Sequence, residues 1–155
     1  MTAIEVVRAL GTSAVRRAIL RGLLAYRSDL RRIGVKRAFQ WLDGSFAERL
    51  DREPNDVDVV TFAHTLPVAS SLGPADRDVL DRTKVKATHH CDAYFVSLRS
   101  ALLVDVTTYW YGLFSHRRGS LEWKGMLRVA LDDVADDAAA LKELERLDGS
   151  GPLGP

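Results

Sequence analysis

The spacing of apolar side chains predicts two amphipathic helices, one toward each end of the chain. Between residues 13 and 33, apolar positions recur every three or four residues, which places them on one helix face. These positions are Val15, Ile19, Leu23, Tyr26, Leu30 and Ile33. Ser13 is a suitable N-cap and Gly34 a suitable stop. The second helix is predicted over residues 132–147. Its apolar stripe consists of Val134, Ala138, Leu141, Leu144 and Leu147.

Four shorter apolar segments are predicted to be β-strands. They are residues 35–42, 56–63, 91–96 and 126–131. The second segment is almost entirely apolar after Asp58, a pattern typical of a strand buried on both faces. Strands and helices together predict an α+β protein in which a small mixed β-sheet is flanked by α-helices. A single domain over residues 1–147 is expected, with a flexible tail at residues 148–155.

The segments between the strands are less regular. Residues 64–74 contain two prolines, two serines and one glycine, which indicates a loop. Pro74 suits the first position of a helix that runs to about residue 83, and a connector carrying Lys84 and Lys86 follows it. Residues 97–114 fit another helix. Its predicted face consists of Leu98, Ala101, Leu102, Asp105, Thr108 and Tyr109.

Composition limits the classes to which this protein can belong. With 155 residues, of which 46% are apolar, the chain is long enough for one ordinary hydrophobic core. Its formal net charge of +1 provides no general attraction to nucleic acids or membranes. The single cysteine, Cys91, excludes an internal disulfide. Neither a signal peptide nor an apolar run of about 18 residues is found, so a soluble cytoplasmic protein is expected.

Charge is unevenly distributed along the chain. Residues 1–37 contain nine Lys or Arg and two acidic residues, whereas residues 132–148 contain seven acidic and two basic residues. The arginines of the first long helix indicate either a solvated helix face or a docking surface for an acidic partner or RNA.

The chemically most informative stretch joins the first two predicted strands. Gly44 and Ser45 follow the first strand, and ten residues later the second opens with Asp56 and Asp58. Residues two apart on a strand point to the same face, so the two carboxylates lie side by side. Mg²⁺ prefers such oxygen ligands, completed by substrate phosphates and water. A Gly-Ser turn suits the phosphates, because glycine allows close backbone approach and the amide and hydroxyl can donate hydrogen bonds.

This arrangement resembles the nucleotidyltransferase-fold superfamily, to which the catalytic core of DNA polymerase beta belongs. The closest likeness is to the minimal nucleotidyltransferases of prokaryotic toxin–antitoxin and defence loci, whose signature is Gly-Ser, ten residues, Asp-x-Asp. Gly44, Ser45, Asp56 and Asp58 match that signature position by position. The resemblance is firm over residues 36–63 and extends to about residue 131.

The resemblance also implies the remaining parts of a site. A third carboxylate is expected on a strand beside Asp56 and Asp58, and Asp92 is assigned to it, with Asp105 as the alternative. The three carboxylates would hold two Mg²⁺ ions. Lys124 is the basic residue assigned to the triphosphate, beside Gly44 and Ser45. Lys84 and Lys86 are further candidates for contact with the triphosphate, although an exposed connector is favoured for them. The superfamily also places a helix after the turn, here beginning over residues 46–50, whose N-terminal amides would bind phosphate.

The implied activity is transfer of a nucleoside monophosphate, most simply AMP from ATP, to a hydroxyl of a partner protein such as a toxin, with release of pyrophosphate. One alternative acceptor is RNA, such as a tRNA end, or a small molecule. The other alternative is not an enzyme. The protein would then be a non-catalytic member of the superfamily that binds nucleotide or protein and acts as a sensor or antitoxin. Nucleotide preference and oligomeric state stay open.

Two other clusters contain residue types that are common in functional sites. His89, His90, Cys91 and Asp92 have the residue types of a zinc site, but adjacent side chains on an extended chain point in opposite directions and cannot easily share one ion. A buried Cys91 and histidines flanking the cleft are therefore favoured. The aromatic residues 109–111 and Phe114, followed by Arg117 and Arg118, indicate either core packing with an exposed basic turn or a surface that stacks a nucleobase.

Overall fold

A four-stranded mixed sheet forms the centre of the computed structural model, which describes residues 1–48, 52–116 and 122–149. The strands are β1 (Lys36–Asp43), β2 (Val57–Thr65), β3 (Cys91–Ser97) and β4 (Leu127–Ala130). Their order across the sheet is β3-β2-β1-β4. β1 is antiparallel to both β2 and β4, whereas β3 runs parallel to β2. The predicted strands, the α+β class and the small mixed sheet of a single domain are thereby confirmed.

Helices cover both faces of this sheet. They are α1 (Ala3–Leu10), α2 (Ala14–Arg32), α3 (Pro74–Asp78), α4 (Arg82–His89), α5 (Leu103–Phe114) and α6 (Val134–Gly149), with a 3-10 turn at Ala69–Ser71. The main core joins α1, α2, α4 and α6 to one sheet face, through side chains such as Leu20, Val59 and Leu144. On the other face, Trp110 and Phe114 of α5 pack against Val60, Phe62 and Val96.

The ends of the first helices follow from capping chemistry. Ser13 accepts a hydrogen bond from the amide of Arg16, as expected of an N-cap, and Gly34 follows the helix with a φ of 97°. Helix α1 was not predicted. Its signal is the capping box in which Thr2 and Glu5 each accept a hydrogen bond from the other's amide.

The predicted apolar stripe of the last helix is correct only in part, since Leu144 is buried and Leu147 packs against the core. Val134 and Leu141 are exposed, and the buried positions of α6 are Asp137, Ala140 and Leu144. The reason is that Asp137 is neutralised inside the protein by Arg27, so a charged residue takes a core position.

The arginines of α2 also differ from expectation. Arg16 and Arg27 are buried rather than solvated or available for docking. Arg17 and Arg21 form ion pairs with Asp148, at the end of α6. The basic first part of the chain therefore faces its acidic last helix.

The region before β3 contains two helices where one was predicted. Helix α3 ends at Asp78, and Asp81 then caps α4 by accepting hydrogen bonds from the amides of Thr83 and Lys84. As a result, Lys84 and Lys86 lie on a helix and not in a connector, which places Lys86 near the start of β3.

Two further expectations need correction. Residues 46–48 form a turn instead of the start of a helix, and residues 49 and 50 lie outside the described ranges. Helix α5 begins at Leu103 rather than at residue 97, and it buries Trp110 and Phe114 while Asp105 and Tyr109 are exposed. In the part of the chain that the structure describes, no helix is both long and apolar enough to cross a membrane.

Candidate active site

Strand order and direction bring several aspartates to one edge of the sheet. The end of β1 lies beside the starts of β2 and β3, because β1 is antiparallel and β3 parallel to β2. Asp43 is thus paired in register with Asp58, and Asp58 with Asp92. Asp56 lies two residues before Asp58, immediately ahead of β2. Carboxylates from three adjacent strands therefore form a row at this edge.

The Gly44 turn packs directly against this row. Gly44 has a φ of 78°, a left-handed conformation that side chains rarely adopt. A Cβ atom at this position would lie only 2.3 Å from Oδ2 of Asp58. Glycine is thus required both by the backbone conformation and by the contact with the carboxylate.

Cationic side chains engage the carboxylates. Lys124 Nζ lies 2.7 Å from Asp43 Oδ2, and Lys86 Nζ lies 2.6 Å from Asp56 Oδ2. Arg82 binds both oxygens of Asp92 through its Nε and Nη2 atoms. Lys86 Nζ is also 3.5 Å from Asp92 Oδ2. Helix α4 thereby supplies two cations, and the segment before β4 supplies a third.

These contacts act on the pKa values of the groups. The hydrogen bond from Arg82 lowers the pKa of Asp92, although burial acts in the opposite direction. Burial raises the pKa of Asp43, and Lys124 opposes that rise. The hydrogen bond to Asp56 raises the pKa of Lys86 above its ordinary value. Lys86 is therefore a stable ammonium at neutral pH, held against carboxylates.

A cavity of about 440 Å³ opens beside the carboxylate row. This volume is suited to a small organic ligand, since ligand pockets typically measure roughly 300–1,000 Å³. Its polar lining residues include Asp56, Asp58, Lys86 and Lys124. The apolar lining residues are Tyr94, Trp110, Leu113 and Phe114. Charged and aromatic side chains are therefore both available to a ligand in this cavity.

Most of the residues predicted for the site come together here. Gly44, Ser45, Asp56, Asp58 and Lys124 line the cavity. Asp92 lies next to Asp58 in register and contacts Lys86, which lines the cavity.

The alternative third carboxylate lies elsewhere. Asp105 is exposed in the first turn of α5, whereas the cavity wall comes from the last turns of that helix.

Sequence reasoning missed Asp43 and Arg82, and for Lys86 it favoured an exposed connector over a position near the triphosphate. Asp43 ends a strand directly before the Gly-Ser turn, which is a usable signal. Arg82 and Lys86 are four residues apart and therefore lie on one face of α4. This could not be inferred from the sequence analysis, because Lys86 was placed in a connector and not on a helix. Glu48, which lies 3.6 Å from Lys124 Nζ, was also missed.

The donor chemistry suits Mg²⁺, because Asp56, Asp58 and Asp92 all offer carboxylate oxygens. Within residues 1–48, 52–116 and 122–149, no group of three carboxylate, imidazole or thiol side chains is already arranged around a metal position. The ammonium of Lys86 instead touches oxygens of both Asp56 and Asp92. A side chain of α4 thus balances the charge of these two carboxylates.

The histidine and cysteine cluster does not converge on one point. His89 lies at the end of α4, 3.4 Å from Asp29 and against the ring of Tyr26. His90 is exposed in a left-handed conformation, and Cys91 is buried. The expectation that the four side chains do not share an ion is consistent with this geometry. The expectation that His89 flanks the cleft is wrong, because its contacts are with α2.

The aromatic cluster divides into two parts. Trp110 and Phe114 belong to the core of the second sheet face and also line the cavity, whereas Tyr109 and Tyr111 are exposed. Arg117 and Arg118 lie outside the described residues.

Comparison with protein families gives a match over most of the chain. The model of a family of unknown function (DUF6932) matches residues 1–130. No curated protein and no solved structure matches the chain. The matched region contains the row of carboxylates together with Arg82, Lys86 and Lys124, whereas α6 lies beyond it.

Proposed function

The chain belongs to this DUF6932 family, whose function is unknown, and we propose from the geometry of its site that it is a Mg²⁺-dependent nucleotidyltransferase. The observation that carries the proposal is the pairing of Asp58 with Asp92 in register, with the Gly44 turn packed on Asp58 beside a cavity of about 440 Å³. The proposal includes the nucleotidyltransferase fold, with which the four-stranded mixed sheet is compatible.

The proposed substrate is a nucleoside triphosphate, ATP in the first instance. Its phosphates would meet the polar lining residues of the cavity, where the Gly44 turn, Ser45 and Lys124 offer hydrogen-bond donors. Its base would meet the apolar lining residues, where Trp110 provides a large ring. This orientation is proposed from the chemistry of the lining residues.

Asp56, Asp58 and Asp92 are the residues that would hold Mg²⁺. Bound there, Mg²⁺ would neutralise phosphate charge and lower the pKa of an acceptor hydroxyl. The hydroxyl oxygen would form a bond to the α-phosphorus while the bond from that phosphorus to the α–β bridging oxygen breaks. Pyrophosphate leaves, and the hydroxyl proton passes to solvent. The proposed acceptor is a hydroxyl of a partner protein.

A second candidate function is nucleotide binding without transfer. The observation that favours it is that Asp43, Asp56 and Asp92 each form an ion pair with a side chain of the protein itself. Arg82 in particular occupies both oxygens of Asp92. A site that keeps these pairs would still bind a phosphate chain through its donors, but it would not activate a hydroxyl.

The test is incubation of the purified protein with each α-labelled nucleoside triphosphate, Mg²⁺ and lysate of its source cells. Wild type is compared with Asp58→Asn and with the matched control Asp105→Asn, which removes an exposed carboxylate on α5. Label on a protein, together with pyrophosphate release, is expected for wild type and for the control. Loss of both is expected for Asp58→Asn.

Each other outcome has a distinct meaning. Label on RNA or on a small molecule would retain the chemistry and replace the acceptor. Nucleotide binding that depends on Asp58, without label or pyrophosphate, would support the second candidate. Equal labelling by wild type and Asp58→Asn would overturn the proposed site.

A further inference from the structure

The ammonium of Lys86 occupies a defined position in the candidate site. It lies 2.6 Å from Asp56 Oδ2 and 3.5 Å from Asp92 Oδ2, so one cation bridges carboxylates from the starts of two neighbouring strands. A divalent cation held by these residues would use the same oxygens. The ammonium and the cation are therefore competitors.

Arg82 and Lys86 contribute differently to this arrangement. Arg82 lies one helical turn before Lys86, binds both oxygens of Asp92 and has its guanidinium 4.3 Å from the centre of the Tyr94 ring. Asp92 therefore has a counter-ion even without Lys86. For Asp56, the ion pair at 2.6 Å is with Lys86. Loss of the Lys86 charge would consequently be felt most strongly at Asp56.

The side chain of Lys86 is able to move. It is 50% exposed, it lines the cavity, and its ammonium sits at the end of a flexible four-carbon chain. When it leaves Asp56, the cavity is within its reach. A cationic group released there would meet the phosphates of an anionic ligand.

We propose that Lys86 is an internal counter-ion that a divalent cation must displace from Asp56 and Asp92, and that the displaced ammonium then binds the phosphate chain of the substrate. The inference rests on the proposed function, because it assigns these carboxylates to the cation. Lys86 thereby sets the affinity of the site for its cation. It also couples the binding of that cation to the binding of phosphate.

The first test measures Mn²⁺ binding in the absence of nucleotide, by calorimetry or by electron paramagnetic resonance. Lys86→Met is expected to bind Mn²⁺ at least about tenfold more tightly than wild type, because the competing ammonium is gone. Lys86→Arg keeps the positive charge and is expected to retain the weaker affinity of wild type.

Lys84→Met is the matched control. Lys84 lies on the same helix, its side chain is 55% exposed, and it forms an ion pair of 2.6 Å with Asp78, away from the site. The two substitutions change net charge equally, so a general electrostatic effect would tighten Mn²⁺ binding in both variants. An effect confined to Lys86→Met is the expected result. Unchanged or weaker Mn²⁺ binding by Lys86→Met would overturn the inference.

The second test uses inorganic tripolyphosphate at saturating Mn²⁺. Lys86→Met is expected to bind this probe about three- to tenfold more weakly than wild type, although it binds Mn²⁺ more tightly. Opposite changes in the two affinities are not expected from a merely unfolded or loosened site. Unchanged tripolyphosphate binding would overturn the second step of the inference.

Failure of the inference and failure of the proposed function give different results. Equal Mn²⁺ affinities in wild type and Lys86→Met would overturn the inference alone. If neither protein binds Mn²⁺, both ideas fail. If Lys86→Met shows the expected changes but no nucleotide is transferred, the role of Lys86 as counter-ion stands and the transferase proposal does not.

Discussion

At the scale of single residues, Gly44 combines a conformational requirement with a contact to the site. Its φ is 78°, and an added Cβ would meet Oδ2 of Asp58 at 2.3 Å. Gly34 is a useful comparison, since its φ is 97° but a Cβ there would have no neighbour within 4 Å. Comparing substitutions at the two glycines therefore distinguishes the effect of backbone strain from the effect of the contact with the Asp58 carboxylate.

We expect Gly44→Ala and Gly34→Ala to destabilise the protein similarly, by about 1–2 kcal/mol each, because both force alanine into a left-handed conformation. Only Gly44→Ala is expected to weaken Mn²⁺ or nucleotide binding, because the Asp58 side chain must rotate away from the new Cβ. Urea unfolding measures the first effect and calorimetric titration the second. Equal binding by the two variants would show that the Gly44 contact does not matter to the site.

Part of the site was predictable from residues alone, and part was not. The closeness of Asp56 and Asp58 was predictable from their spacing on a strand. Asp92 was expected beside them only because the resemblance implies a third carboxylate on a neighbouring strand. Asp43 was overlooked, because a carboxylate that ends a strand also has the ordinary composition of a turn. Lys86 required knowledge of the helix on which it lies. Ion pairs between segments far apart in sequence leave no local pattern.

At the scale of elements, helix α2 fixes the shape of the turn after β1. Both Nη atoms of the buried Arg16 donate hydrogen bonds of 2.8 Å, one to the carbonyl oxygen of Phe46 and one to that of Glu48. Phe46 itself is fully buried, and Arg16 lies against its ring. These contacts tie residues 46–48 to the core, so the Gly44 turn is supported from behind by a helix.

We expect Arg16→Met to destabilise the protein by about 1–3 kcal/mol, because two carbonyl oxygens lose their donors. Amide hydrogen exchange over residues 44–48 should become faster than the global loss of stability accounts for. Arg21→Met on the same helix is the control, since Arg21 pairs with Asp148 and not with the turn. Mass spectrometry measures this exchange. Equal protection of residues 44–48 in the two variants would contradict the proposal that Arg16 supports the turn.

The elements themselves were predicted unevenly, for physical reasons. The strands could be located because they are short apolar runs next to turn residues. The two helices α3 and α4 were merged, since Pro74 marks a start clearly but Asp81 was not taken as a second N-cap. The burial of Asp137 on α6 could not be read from its pattern, because a charged residue normally indicates the exposed face.

At the scale of the whole molecule, opposite charges at the two ends of the chain meet in the folded protein. Arg27 of α2 lies 2.8 Å from Asp137 of α6 and also donates hydrogen bonds to Gln40 of β1 and to the carbonyl oxygen of Ala130 of β4. Its side chain is 1% exposed, and that of Asp137 is 7% exposed. One buried arginine thus joins both ends of the chain to the sheet that carries the site.

The pairs between α2 and α6 are expected to differ greatly in their effect on stability. Asp137→Asn should destabilise the protein by about 3–5 kcal/mol, because it leaves the buried Arg27 without its counter-ion. Asp148→Asn also removes an acid that pairs with arginines of α2, but this acid is at the surface, so little measurable change is expected. Urea unfolding of both variants at low and high salt is the measurement. Comparable losses of stability in the two variants would mean that the association of α2 with α6 depends on surface charge, and high salt would then lower the stability of the wild type. A loss of stability that is confined to Asp137→Asn and insensitive to salt would show that the association depends on the buried pair of Arg27 and Asp137.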